Sequence, residues 1–284
     1  MPLFAVALLF GSAFLHTAWN LLLKQADEKY LTTWWAILLG SAVFLPFLIF
    51  TGLPARAAWP YLLTSVLVES AYYVLLPMAY QEADFSLVYP LARGAAPALI
   101  ATWSVLFLGE RLTLPGLLGL GLMVVGLLVV GSSNLLQVHG AKPHLRGIFL
   151  ALSLALLISI YSTIDGAAVK QTPAFPYAVL VFFLAPVFTS PLVLHRYGWP
   201  TLRAALTRQR LRILGIGLLT VCAYLLALAA YAMAPVSYVG AIREISVVLG
   251  AAAGWLFLSE RLGGWRVAGA VIIFGGLILI TFSG

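Results

Sequence analysis

Two arginines stand inside otherwise apolar runs of this chain. The stretch "SLVYPLARGAAPALIATWSVLFLGERL" (residues 86–112) carries Arg93, and "SYVGAIREISVVLGAAAGWLFLSERL" (residues 237–262) carries Arg243 at the matching place. A guanidinium is permanently charged and offers a planar fork of N–H donors that suits carboxylates. Facing hydrocarbon it costs from about 2.5 to more than 10 kcal/mol. Each arginine must therefore meet a carboxylate, a ligand anion or water. Three carboxylates lie deep enough in apolar sequence to answer: Glu69, Asp165 and Glu244. Glu244 adjoins Arg243, but neighbouring helical residues diverge by about 100° and seldom face one another. A pair across the two stretches, Arg93 with Glu244, stays open. Permanent pairing and a role in ligand binding are both compatible with these residues, and a pair that forms in one conformation and breaks in another is a gate.

The other chemistry-bearing side chains fall on the same kind of helix. His16, Asn20 and Lys24 recur every four residues and form one stripe, with Trp19 beside it. His16 and Asn20 fit interhelical hydrogen bonds or a polar chamber, where His16 could exchange a proton. Lys24 reads as an interfacial snorkelling residue. In "VLVESAYYVLLPMAY", Glu69, Tyr72 and Tyr73 share one turn and Tyr80 lies two turns beyond Tyr72. In "YSTIDGAAVK", Tyr161 and Asp165 are four apart. The expected substrate-binding set is Arg93, Arg243, Tyr73, Trp19, Asn20, Tyr224, Tyr161 and Tyr80. The expected proton-coupling or gating set is Glu69, His16, Asp165 and Glu244. Glu69 leads that set, because a carboxyl that an arginine approaches and leaves can take up and release a proton.

The elements that must position these residues follow from composition. The chain is 63% hydrophobic and 9% charged, against about 25% charged for a soluble domain. It reads as an all-α integral membrane protein. A span needs about 20 apolar residues, and ten are expected: 3–23, 31–51, 61–81, 86–108, 113–131, 147–170, 176–195, 213–233, 237–258 and 266–283. No basic residue precedes the first apolar run, so that run reads as a retained span and not as a secretory signal. The single cysteine, Cys222, reads as an apolar packing residue. The net charge of +7 reads as attraction to anionic lipid headgroups and not to nucleic acid. No metal or cofactor motif and no catalytic constellation is present.

The chain repeats itself. Lys24 matches Lys170 and Thr17 matches Thr163, at an offset of 146 (170 − 24). Tyr73 matches Tyr224, Tyr80 matches Tyr231 and Ser86 matches Ser237, at 151; Arg93 matches Arg243, and "LGERL" (108–112) matches "LSERL" (258–262), at 150. The copies are residues 1–131 and 147–284, joined by 132–146. Five spans per copy is odd, so the second copy enters the membrane from the opposite side, giving ten transmembrane helices as two five-helix inverted repeats. Glu110 and Glu260, in the repeated "ERL" steps, read as structural, pairing with the adjacent arginine or capping the N-terminus of the next helix. Pro90 and Pro97 flank Arg93 and would free backbone carbonyls in that span.

This pattern resembles the EamA-type transporters of the drug/metabolite transporter superfamily. The resemblance rests on the 5+5 repeat, the "GERL" and "SERL" steps, and the glycine-rich span after each, "LPGLLGLGLMVVGLLVVG" and "GGWRVAGAVIIFGGLILI". It implies a secondary transporter with a central cavity lined by both halves, and often export of metabolites. Two arginines with carboxylates and tyrosines suggest a small polar substrate with negative charge: an amino acid, another zwitterion or an organic anion. Protons are the expected coupling ion, the plasma (inner) membrane the expected location, and a monomer or homodimer the expected assembly. A flippase for a lipid-linked anionic substrate is the second reading. A non-transporting scaffold is the third, and two matched halves argue against it. Loops after spans one, five, seven and nine hold eleven of the sixteen basic residues and the opposite face three. The positive-inside rule then places both termini outside.

Overall fold

The computed structural model describes residues 1–82, 85–135, 145–249, 252 and 264–283. Every regular element among them is helical. Helix α1 is Leu3–Lys24, α2 Lys29–Phe44, α3 Trp59–Glu82, α4 Phe85–Leu108, α5 Leu114–Leu135, α6 Leu145–Ala168, α7 Ala174–Met233, α8 Val236–Arg243 and α9 Gly264–Ser283. A 3-10 turn, Leu45–Phe47, and a helical turn, Leu48–Thr51, extend α2. Five of the described helical stretches are long and apolar enough to cross a membrane, and Leu114–Val130 and Val267–Phe282 are shorter apolar ones. Large apolar side chains such as Phe14, Phe50, Leu106 and Phe282 point outward. A soluble protein rarely presents such a surface; a bilayer accepts it, provided backbone groups are satisfied within helices.

Three local features depart from the expected spans. Residues 196–212 were expected to connect two spans, yet they continue α7 as helix, interrupted only at Gly198 (φ 72°) and Gln209 (φ −134°). That middle segment has a packing partner: the Trp35 indole donates to the Leu202 carbonyl at 2.9 Å, inside a cluster with Leu31, Trp34, Val193, Ile213 and Ile216. The prolines of the fourth span do not break it, since α4 runs through both Pro90 and Pro97. The break falls instead in the ninth, where α8 ends at Arg243, Glu244 forms a turn, and helix resumes over 245–249.

Without water to squeeze out, helices in a membrane associate through close van der Waals packing, which small residues permit. Helices α5 and α9 meet through Gly119 against Gly276 and Gly126 against Gly269, and α2 meets α7 through Gly40 against Gly217. A Cβ on Gly217 would lie 2.1 Å from the Ala36 carbonyl oxygen, where only backbone could yield. Gly121, also on α5, has nothing within 4 Å. Gly217→Ala is therefore expected to destabilise by about 1–3 kcal/mol, the range for overpacking, despite alanine's better helix propensity. Gly121→Ala should be neutral or stabilising. Thermal unfolding of both variants in detergent checks the contrast.

Candidate functional site

The buried charges and tyrosines meet in one place. Helix α4 supplies Arg93, and its Nη1 donates to Glu244 Oε1 at 2.8 Å. Its Nη2 lies 3.0 Å from His16 Nε2 of α1. His16 packs edge-on against Trp19, with ring centroids 4.9 Å apart. Arg93, Glu244, His16 and Trp19 thus join three elements far apart in sequence. The turn at Glu244 explains how two adjacent charged residues serve different partners. Glu244 reaches Arg93, while the Arg243 guanidinium lies over the Tyr224 ring, 5.7 Å from its centroid.

Arg243 stands among tyrosines of two helices of the second half: Tyr161 of α6, and Tyr224 and Tyr231 of α7. No carboxylate comes within ion-pair distance of it among the described residues. Below it runs an acidic arm. The Tyr224 hydroxyl contacts both Asp165 Oδ2 and, at 3.4 Å, Glu69 Oε1. The Tyr177 hydroxyl donates to Asp165 Oδ1 at 2.6 Å. Phe182 stacks on Tyr224 with centroids 4.4 Å apart. Tyr72 links Tyr73 and Tyr161 through edge contacts at 5.6 and 6.2 Å.

The cluster is occluded in this conformation. Glu69 is 3% exposed, Asp165 0% and Glu244 2%. Some of its polar atoms have no hydrogen-bond partner among the described residues: the acceptors Glu69 Oε2 and Glu244 Oε2, and the Trp19 indole N–H. A buried polar atom left unmatched costs about 1–3 kcal/mol, and such atoms concentrate where a protein must accommodate something else.

Most of the expected site residues come together here: Arg93, Arg243, His16, Trp19, Glu69, Tyr73, Tyr161, Asp165, Tyr224 and Glu244. Asn20 does not. It is exposed, and its amide turns back to the His16 carbonyl at 2.7 Å. The side chains of Tyr80 and Lys24 lie outside the described ones, as does Glu260. Two members were not anticipated. Tyr177 opens the seventh span, where a tyrosine reads as an interfacial anchor. Tyr231 lies outside the expected set, yet it is fully buried and faces Arg243. The signal available for Tyr231 was the repeat, which pairs it with Tyr80; Tyr177 had none. Among the described residues Glu110 pairs with Lys170 at 3.6 Å and not with Arg111, and its carboxylate meets the amides of Val236 and Ser237 and not those of the next helix.

The two halves of the chain can be placed by comparison. A solved crystal structure aligns over 99% of both chains with a TM-score of 0.79 at 19% identity, a likeness of fold. Over 61 residues, 22% of this chain, the sequence is 38% identical to an uncharacterized protein of Methanocaldococcus jannaschii; the match spans 44% of that protein's length. The model of the EamA-like transporter family matches residues 3–132 and again residues 145–282. With several helices long and apolar enough to cross a membrane and a cluster of charged side chains buried among them, this chain belongs to the EamA-like transporter family of the drug/metabolite type.

Proposed function

We propose that this transporter carries a small zwitterion, an amino acid by preference, by alternating access around the Arg93–Arg243 cluster. The observation that carries the reading is that one occluded place holds Arg243, with no carboxylate within ion-pair distance among the described residues, beside two carboxylate oxygens without hydrogen-bond partners, Glu69 Oε2 and Glu244 Oε2. The Arg243 guanidinium and the Tyr231 and Ser162 hydroxyls can donate to a carboxylate. Glu244 Oε2 and Glu69 Oε2 can accept from an ammonium. Phe182, Trp19 and the tyrosines offer rings to an apolar side chain or a cationic head. An organic anion would use the first set of groups and leave the carboxylates unanswered.

The frame for alternating access is the ten-span inverted repeat, with copies 1–131 and 147–284 around 132–146. The double family match supports it. So does the reciprocal contact of Gly119 with Gly276 and Gly126 with Gly269. Those glycines are related by the same offset of 150 as the arginines (269 − 119, 276 − 126). Equivalent residues that exchange partners are what a two-fold relation between copies produces. Both termini outside, and export from the cytoplasm across the plasma membrane, complete the reading.

Proton coupling is assigned to Glu69 with Asp165. Tyr224 has one hydroxyl proton and two carboxylate neighbours, so both contacts become hydrogen bonds only when a second proton sits on the pair. Movement of Arg243 towards or away from them would load or release that proton. Two experiments test the proposal. A thermal-shift screen of purified protein should show stabilisation by amino acids, about 2.7 kcal/mol at a concentration 100-fold above Kd, and Arg243→Ala should abolish it. Equal stabilisation of wild type and Arg243→Ala would refute the site. In proteoliposomes, Glu69→Gln should retain amino-acid counterflow and lose transport driven by a pH gradient. Full gradient-driven transport in that variant would remove Glu69 from the coupling.

A further inference from the structure

Helix α8 is eight residues long and ends on Arg243. Its position therefore sets the guanidinium of the site. Yet its own sequence does little to hold its start. Pro235 at the N-cap offers no side-chain cap, and the first turn holds no acidic residue. The cap comes from elsewhere. Glu110, just past the end of α4, sets its carboxylate against the open N-terminus of α8. Oε1 accepts from the Val236 amide at 2.5 Å; Oε2 accepts from the Ser237 amide at 3.1 Å and the Ser237 hydroxyl at 2.7 Å. Lys170, beyond the end of α6, approaches the same carboxylate at 3.6 Å. A carboxylate here satisfies orphan amides and complements the helix dipole.

The surrounding turn is shaped for this contact. Gly109 (φ 67°) ends α4 and turns the chain back. The Thr113 amide donates to the Tyr238 hydroxyl at 3.3 Å. A Cβ on Gly116 would lie 1.9 Å from that hydroxyl, so only glycine admits Tyr238 there. Glu110 belongs to the first family-matched stretch, 3–132, while Lys170 and α8 belong to the second, 145–282. The contact ties one half to the other at a single end of the bundle.

We infer that Glu110 is a positioning residue for Arg243 and the latch of the mouth at that end. With the latch closed, α8 is seated, Arg243 rests over Tyr224, and the site is shut on that side. With the latch open, the N-terminus of α8 loses its cap, the helix tilts, and Arg243 leaves the tyrosines. The inference rests on the alternating-access reading above, and it makes Glu110 part of the transport cycle instead of a static cap.

Hydrogen–deuterium exchange and a cross-link test it in the full-length protein. In Glu110→Gln, amides 236–243 should exchange about tenfold faster, the order expected for losing a charge-assisted hydrogen bond. Amides of α2 and α7 should stay unchanged, and Glu110→Asp should restore much of the protection. In a Cys222→Ala background, Glu110→Cys with Ser237→Cys should be bridged by a short, reducible bis-thiosulfonate reagent, and the bridge should stop amino-acid transport in proteoliposomes. Reductant should return transport to the level of the same double-cysteine protein before bridging. Unchanged exchange across α8 in Glu110→Gln, or undiminished transport by the bridged protein, would overturn the latch. If the wild-type protein moves no amino acid, the substrate reading falls, and the exchange measurement, which needs no substrate, still decides the latch.

Discussion

The Arg93–Glu244 pair is the interaction on which the rest of the arrangement depends. Neither group can face acyl chains, and neither can be buried alone without losing several kcal/mol. Their 2.8 Å contact pins α4 to the turn after α8. That turn sends Arg243 the other way, to Tyr224 and the acidic arm. One buried pair thus fixes where the second arginine goes. Breaking the helix at Glu244 is tolerated because the broken backbone lies among protein groups and not against lipid.

The packing around this pair uses the means available where hydrophobic association between helices is absent. Glycine contacts bring α5 to α9 and α2 to α7 at backbone distance. Indole and hydroxyl donors cross between helices, as Trp34 does to the Pro186 carbonyl at 3.1 Å and Ser12 to the Ala223 carbonyl at 2.7 Å. These contacts are dry and specific. The central cluster differs from them in holding polar atoms without partners. A rigid periphery around an unsatisfied centre is what a carrier needs, since binding energy must come from groups that the protein alone leaves unmatched.

Much of this was readable from residue types and spacing, because a charge in an apolar run has few places to go. Arg93, Arg243, Glu69, Asp165 and Glu244 announce themselves that way, and the repeat shows which residues correspond. What could not be read is set by three-dimensional detail. The prolines beside Arg93 suggested a break in α4, but the break sits at Glu244, where tertiary pairing outweighs local sequence. Asn20 shares a helical stripe with His16, yet faces outward, because a stripe gives direction and not depth. Residues 196–212 looked like a loop by polarity, and Trp35 and its neighbours hold them helical. Tyr177 carries no signal that separates a deep tyrosine from an interfacial one.

In the proposed cycle the two guanidinium groups share a chamber that water and substrate enter. Thiol accessibility tests this most directly. In a Cys222→Ala background, Ser162→Cys, beside the Arg243 cluster, should react with a charged, membrane-impermeant thiol reagent and be protected by substrate. Phe14→Cys, on the apolar outer surface, should stay unreactive. A folded, transporting Ser162→Cys protein that never reacts from either side would contradict the account.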